Sequence, residues 1–266
     1  MLFYKEKVDL LINQYCENIE DEEIKSMMSY CLSNGKRLRP IIAYYLLDEL
    51  NIKNRDIILA IEFIHTASLI LDDLPMMDND DFRRGKLSFH KKYGFKNALF
   101  ISNYLFSEFY RIILDCNKNI INFVSKNVGN ITLGQYFDLN QNYTNNMCID
   151  KKIYYNNLKT EPFFSIAFCI PFLLNNKNFD LREIKKASEL FSISFQIYDD
   201  FHDLEQDKDN NNFNHIVLLG KERAYKLYCE NLIMFRKILN KYVKIELFEE
   251  IISYLNNSLE EYTNDI

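Results

Sequence analysis

Between Ser68 and Lys86 the chain reads SLILDDLPMMDNDDFRRGK. An apolar helical run halts at Asp72 and Asp73. A third carboxylate follows at Asp78 with Asp80 and Asp81 behind it, and Arg83, Arg84 and Lys86 come within a further turn. Carboxylates beside hydrophobic sequence are costly unless cations neutralise them. Oxygen-only donors of this kind suit a hard ion such as Mg²⁺ better than zinc or copper. Guanidinium groups next to the same carboxylates imply an anion that shares the metal, most simply a diphosphate. Whatever the fold, it has to carry an apolar helix to an end where acid meets base.

Only 6 Gly and 4 Pro interrupt the 266 residues, while hydrophobic residues make up 48% of the chain. So few turn formers predict an all-α protein of long helices joined by short loops. No Pro-, Gly- or Ser-rich stretch divides the chain, which predicts one domain over residues 1–266. A net charge of −6, with no basic stripe interleaved by aromatics, argues against nucleic acid. The six cysteines are scattered without a C-x-x-C pair or a secretory segment, so they read as reduced thiols of a cytoplasmic protein. The location becomes organellar if a transit peptide has been removed. The start is too charged for a signal peptide, and no run approaches the apolar length of a membrane span.

Taken in order, Val8, Leu11, Ile12 and Tyr15 form the stripe of an amphipathic helix over Leu2 to about Ile19. The turn NGKRLRP then gathers Lys36, Arg37 and Arg39 before a helix opened by Pro40. Such a run is compatible with a solvated surface, a nuclear-localisation signal or a phosphate site. Asp56 reads as the cap of a helix from about Ile57 to Asp73, with Glu62 and His65 as its polar members, His65 two turns before Asp72. The aromatics Phe100, Tyr104, Phe106, Phe109 and Tyr110 of Ala98–Leu114 read as core, some able to line an apolar cavity. Helix continues over Ile120–Leu139, with Gly134-Gln135 and Asp138. It returns at Lys151–Leu158, is interrupted by Lys159-Thr160, and resumes in PFFSIAFCIPFLL. The last pointed element is the helix Ile184–His202, where Gln196, Asp199 and Asp203 share a face. Like charges one turn apart repel, and a bound cation relieves them; the competing reading is a solvated acidic helix end.

Five fragments now stand in register: G-K-R-x-R-P, the first Asp-rich motif with R-R-G behind it, G-Q, K-T, and F-Q-x-x-D-D-x-x-D. Together they resemble the trans-isoprenyl diphosphate synthases over nearly the whole chain. The LPMM insert between Asp73 and Asp78 resembles the bacterial and plastid short-chain branch, and HTASLILDDLPMMD is similar to bacterial geranylgeranyl diphosphate synthases. The resemblance implies a bundle of long antiparallel helices around a deep apolar cavity, a homodimer, and about three Mg²⁺ ions per site. Asp72, Asp73, Asp78, Asp199, Asp200 and Asp203 would be the metal ligands. Arg83 and Lys159 would bind the allylic diphosphate. Lys36, Arg39, His65 and Arg84 would hold isopentenyl diphosphate. Thr160 and Gln196 would steady the carbocation or the metal-bound diphosphate.

Two departures from the family stand out. The loop that carries the family's glycine-lysine pair after the second motif is shortened here to DKDNNNFNH, with Asn212 where a lysine is expected, so that either closure over diphosphate is weaker or Lys208 substitutes, and Glu161 follows K-T where a small residue is common. Product length is expected to follow Ala67 and Ser68, five and four residues before Asp72, whose small side chains leave the cavity open to a twenty-carbon chain. A farnesyl diphosphate synthase is the alternative, then a terpene cyclase, which needs no second diphosphate pocket, or a non-catalytic synthase subunit, which would have eroded motifs.

Overall fold

The structure is a computed structural model and describes residues 1–140, 147–175, 178–205, 207 and 213–263. Those residues form eleven helices and one two-stranded ribbon. In chain order they are α1 (Leu2–Glu17), α2 (Glu22–Leu32), α3 (Leu38–Glu49), α4 (Asp56–Asp72), the ribbon strands β1 (Phe82–Arg83) and β2 (Lys86–Leu87), α5 (Phe89–Leu114), α6 (Lys118–Leu139), α7 (Ile149–Leu173), α8 (Leu181–His202), α9 (His215–Leu219), α10 (Lys221–Leu239) and α11 (Glu246–Thr263). The all-α expectation holds. Among the described residues no helix is long and apolar enough to cross a membrane. All six cysteines are free thiols. Most of the Asn-rich loop QNYTNNM and the positions Lys208 and Asn212 lie outside the described residues.

Contacts group the chain into two compact units, Met1–Val124 and Ser125–Ile266. The first is built on α4, which packs against α1, α2, α3 and α5. Its residues Ile57 to Ile64, with Thr66, Ala67 and Ile70, are buried, as expected of a helix that is apolar on every side. The N-cap is Arg55 rather than Asp56; Asp56 stands in the first turn, where a carboxylate still complements the helix dipole. Helix α5 is broken at Gly94, whose φ of 81° is ordinary for glycine and strained for other residues.

The second unit is built on α8, which packs against α7, α9, α10 and α11. Phe164, Phe168, Phe191, Phe235 and Phe248 form its centre, with ring centroids 5.2 to 6.1 Å apart. Helix α7 corrects the sequence expectation: it runs without interruption through Lys159-Thr160 and across Pro162 and Pro171. Proline inside a helix costs about 3 kcal/mol. Here every residue from Glu161 to Phe172 is buried, and the apolar burial offsets that penalty.

Candidate active site

The first acidic motif begins where α4 ends. Asp72 is the last helical residue and Asp73 its C-cap, donating its N–H to Leu69 O at 3.1 Å. Asp78 N–H then donates to Asp72 O at 2.9 Å, which folds the LPMM insert back on the helix end. Only 2% of Asp73 is exposed. Arg83 answers it, donating from Nε at 2.7 Å and Nη2 at 2.5 Å to Asp73 Oδ1, and from Nη2 to Asp80 Oδ2 at 2.5 Å. Burial nevertheless leaves the Asp73 carboxyl above its ordinary value. Arg83 is aimed by the ribbon, whose Arg84-Gly85 turn has positive φ at both residues, 55° and 76°, the geometry that tight hairpins favour. Holding Arg84 there costs roughly 1 kcal/mol.

The NGKRLRP turn lies in the same unit, and its three cations have three different fates. Arg37 is buried, with φ of 61°. It donates Nε to Asp9 at 2.8 Å, Nη1 to Glu62 at 2.5 Å and Nη2 to Leu32 O. Arg39 Nη1 lies 3.4 Å from His65 Nε2. Lys36 is exposed. Glu62, 1% exposed, also receives Arg84 Nη2 at 3.3 Å, so one buried carboxylate holds two guanidiniums. Gly35 makes this possible, because a Cβ there would stand 2.6 Å from Arg37 Nη1 and 3.0 Å from Arg84 Nη1. Burial, with the charges of Arg39, Arg84, Arg83 and Arg37, pushes His65 well below the ordinary histidine value. A neutral imidazole follows, able to accept from Arg39. Thus Arg39 and His65 are together and Arg84 is anchored within the same charge group, while Lys36 reaches into solvent. The structural part played by Arg37 was not foreseen, although a lone Glu62 in a buried stripe signals that some cation must reach it.

Ala67 is fully buried, and its carbonyl accepts from Ser102 Oγ at 3.1 Å. Ser68 turns its hydroxyl to His65 O at 2.9 Å. Of the aromatics expected in the core, Phe109 is buried, whereas Phe100 is 49% and Tyr110 40% exposed. A pocket of about 330 Å³, its open mouth included, is lined by Tyr30, Thr66, Ile70, Asp73, Arg83 and Lys86, among others. Burial brings Lys86 down to about 8.

In the second unit, Gly134 lets α6 approach α7: a Cβ there would fall 2.3 Å from Lys159 N. One turn on, Asp138 Oδ2 accepts from Lys159 Nζ at 2.6 Å. Both cations assigned to the allylic diphosphate, Arg83 and Lys159, are therefore oriented by carboxylates. Thr160 is half-buried. Glu161 is buried and bonded to Ser165, which lies 3.1 Å from Ser188 across on α8, and burial pushes the Glu161 carboxyl up. Gln196 is buried, with no hydrogen-bond partner for Oε1 among the described residues. Asp199 and Asp200 occupy the last turn of α8, and Asp203 caps it, donating its N–H to Asp199 O at 3.0 Å. Asp200 Oδ2 accepts from His215 N and from His215 Nδ1, both at 2.7 Å. Sequence reasoning passed over His215, since nothing local marks it.

Among the described residues no three His, Cys, Asp or Glu side chains are gathered around one point. Mg²⁺ usually takes one or two carboxylates and completes its shell with water and phosphate oxygens. The donors are hard oxygens throughout, and the buried Gln196 Oε1, without a hydrogen-bond partner among the described residues, is one more. The residues fit a divalent ion that arrives with a diphosphate.

The family model of polyprenyl synthetases matches residues 21–215. A farnesyl diphosphate synthase of Buchnera aphidicola is 34% identical over 77% of this chain and 77% of its own length. A geranylgeranyl diphosphate synthase of Pseudescherichia vulneris is 32% identical over 70% of this chain and 66% of its own. Among solved structures, a geranyltranstransferase of Thermotoga maritima superposes with a TM-score of 0.82 at 28% identity, covering 96% of this chain and 98% of the other.

Proposed function

The chain belongs to the polyprenyl synthetase family, as a prenyltransferase of the farnesyl and geranylgeranyl diphosphate synthase type, and from that premise we propose that it condenses isopentenyl diphosphate with allylic diphosphates to make geranylgeranyl diphosphate. The observation that carries the reading is the arrangement in the first unit. Carboxylates of the Asp-rich motif stand at the end of α4, and a separate guanidinium and imidazole group, Arg39, His65 and Arg84, stands on and beside the same helix. Two charge groups of opposite sign provide for two diphosphates, one shared with metal and one bound without it.

In the reaction the allylic C1–O bond breaks, the double bond of isopentenyl diphosphate attacks the cation, and the released diphosphate takes up the lost proton. By family resemblance Asp72, Asp73 and Asp78 of the first unit and Asp199, Asp200 and Asp203 of the second would be ligands of Mg²⁺, about three ions, and the metal would supply the Lewis acidity that makes diphosphate a better leaving group. Arg83 and Lys159 add positive charge to that diphosphate, each kept in place by its carboxylate. Lys36, Arg39, neutral His65 and Arg84 bind the isopentenyl diphosphate. Thr160 Oγ1 and Gln196 Oε1 offer lone pairs to the developing cation. The enzyme works as a single catalytic domain in a cytoplasmic homodimer.

Ala67 and Ser68 are small, which supports a twenty-carbon product. A farnesyl product is the second reading, supported by the farnesyl diphosphate synthase among the relatives. Incubating the protein with Mg²⁺, isopentenyl diphosphate and dimethylallyl, geranyl or farnesyl diphosphate in turn separates them. Twenty-carbon product from all three starters is expected, with none in excess chelator. Fifteen-carbon product with farnesyl diphosphate refused would establish the second reading, and no product from any starter would overturn both.

A further inference from the structure

His215 is fully buried at the start of α9 and has no part in the chemistry described so far. Its backbone N–H and its Nδ1 both reach Asp200 Oδ2 at 2.7 Å. A carboxylate oxygen can only accept, so Nδ1 carries a proton. Nε2 is buried with no hydrogen-bond partner among the described residues, so Asp200 alone sets the polar orientation of the ring. Phe213 packs edge-on against the imidazole, with centroids 4.9 Å apart. The neighbouring Asn214 donates Nδ2 to Asp200 O and to Asp207 Oδ2, each at 2.9 Å, and caps α9 by accepting from Ile216 N and Val217 N. The α9 entrance is thus built around Asp200.

We propose that His215 is the positioning residue of the second acidic motif, taking up Asp200 Oδ2 so that Oδ1 alone ligates a divalent cation. The inference rests on the reading of Asp200 as a metal ligand. Two donors on one oxygen occupy both of its lone pairs, oppose bidentate ligation and leave Oδ1 as the one oxygen open to the ion. Mg²⁺, which demands near-octahedral geometry, gains from such a ligand, whereas Ca²⁺ tolerates bidentate carboxylates. Hydrogen bonds behind a ligand commonly govern metal affinity by about ten- to a hundredfold.

Mn²⁺ binding to the full chain in the presence of inorganic diphosphate, followed by electron paramagnetic resonance, tests this without turnover. Asp200→Asn and His215→Phe should each weaken Mn²⁺ binding by about tenfold. The double variant should be no weaker than Asp200→Asn alone, because both changes act on one carboxylate. His215→Asn, whose Nδ2 stands near the position of the imidazole Nδ1, should restore binding to within about threefold of wild type. Wild-type affinity in His215→Phe, with Asp200→Asn weakened, would overturn the role of His215 and leave the ligand reading standing. Wild-type affinity in Asp200→Asn would overturn the ligand reading itself. Should His215→Phe fail to fold, the wild-type protein decides. It has 4 histidines, and the His215 Nδ1–H resonance should move when Mg²⁺ and diphosphate are added together. An unmoved resonance would overturn the proposal.

Discussion

Asp73 and Asp200 are held in different ways although each belongs to an Asp-Asp pair at the end of a helix. The Asp73 side chain is 3% exposed and faces the Arg83 guanidinium; the Asp200 side chain is 15% exposed and is gripped by a backbone N–H and an imidazole N–H. The cause lies in the helices that carry them. Helix α4 is apolar on all sides, so its carboxylate end is desolvated and needs a full counter-charge. Helix α8 is amphipathic, its carboxylates keep partial access to water, and directional hydrogen bonds suffice. One motif is held by charge and the other by geometry.

Replacing the proposed metal ligands gives the largest expected effect. Asp72→Ala and Asp199→Ala should each lower the single-turnover rate on the order of a thousandfold, since both remove charge stabilisation of the departing diphosphate. A large loss in one variant only would break the pairing of the motifs. Next comes the counter-charge of the first unit. Glu62→Ala removes the buried carboxylate shared by Arg37 and Arg84 and should destabilise the protein by about 3–5 kcal/mol in urea unfolding. A smaller cost is expected for Arg83→Ala, about 2 kcal/mol, because Arg83 is one-third exposed and water can reach the vacated site. Asp200→Asn in metal-free protein should cost about 1 kcal/mol, the scale of a hydrogen bond. If Asp200→Asn proved costlier than Arg83→Ala, the contrast between charge and geometry would be wrong.

The smallest effect sharpens the view of burial. Glu161 has its carboxyl raised by burial, so between its ordinary and its folded value the folded chain binds a proton that the unfolded chain does not. The stability this confers is complete below about pH 4.5, the ordinary glutamate value, and is lost as pH rises through the folded value. Glu161→Gln should flatten that slope in unfolding curves collected from pH 4 to 7, while activity at neutral pH changes little.

Much of this was legible in the order of residues. The 3.6-residue period located α1, α4 and α8, and the two acidic motifs marked the ends of α4 and α8. The period failed at α7. There Lys159-Thr160 read as a break, yet packing against α8 and the close approach at Gly134 keep the helix whole. It failed again at Phe100 and Tyr110, because a count of aromatics says nothing of which neighbours arrive to cover them. Near the site, Arg37 and Arg39 looked alike; one is spent on Asp9 and Glu62 and the other meets His65.

By itself the sequence determined the helical class and the family, because periodicity, turn-former scarcity and motif spacing are local properties carried within a few helical turns. The tertiary structure decided which charges are committed and which carboxylate oxygen is engaged. Arg37 meets Asp9 and Glu62 at separations of 28 and 25 residues, and Lys159 meets Asp138 at 21. His215 meets Asp200 at 15. Desolvation and pairing act through space over a few ångströms, so their outcome at each charged group is set only when distant segments fold against one another.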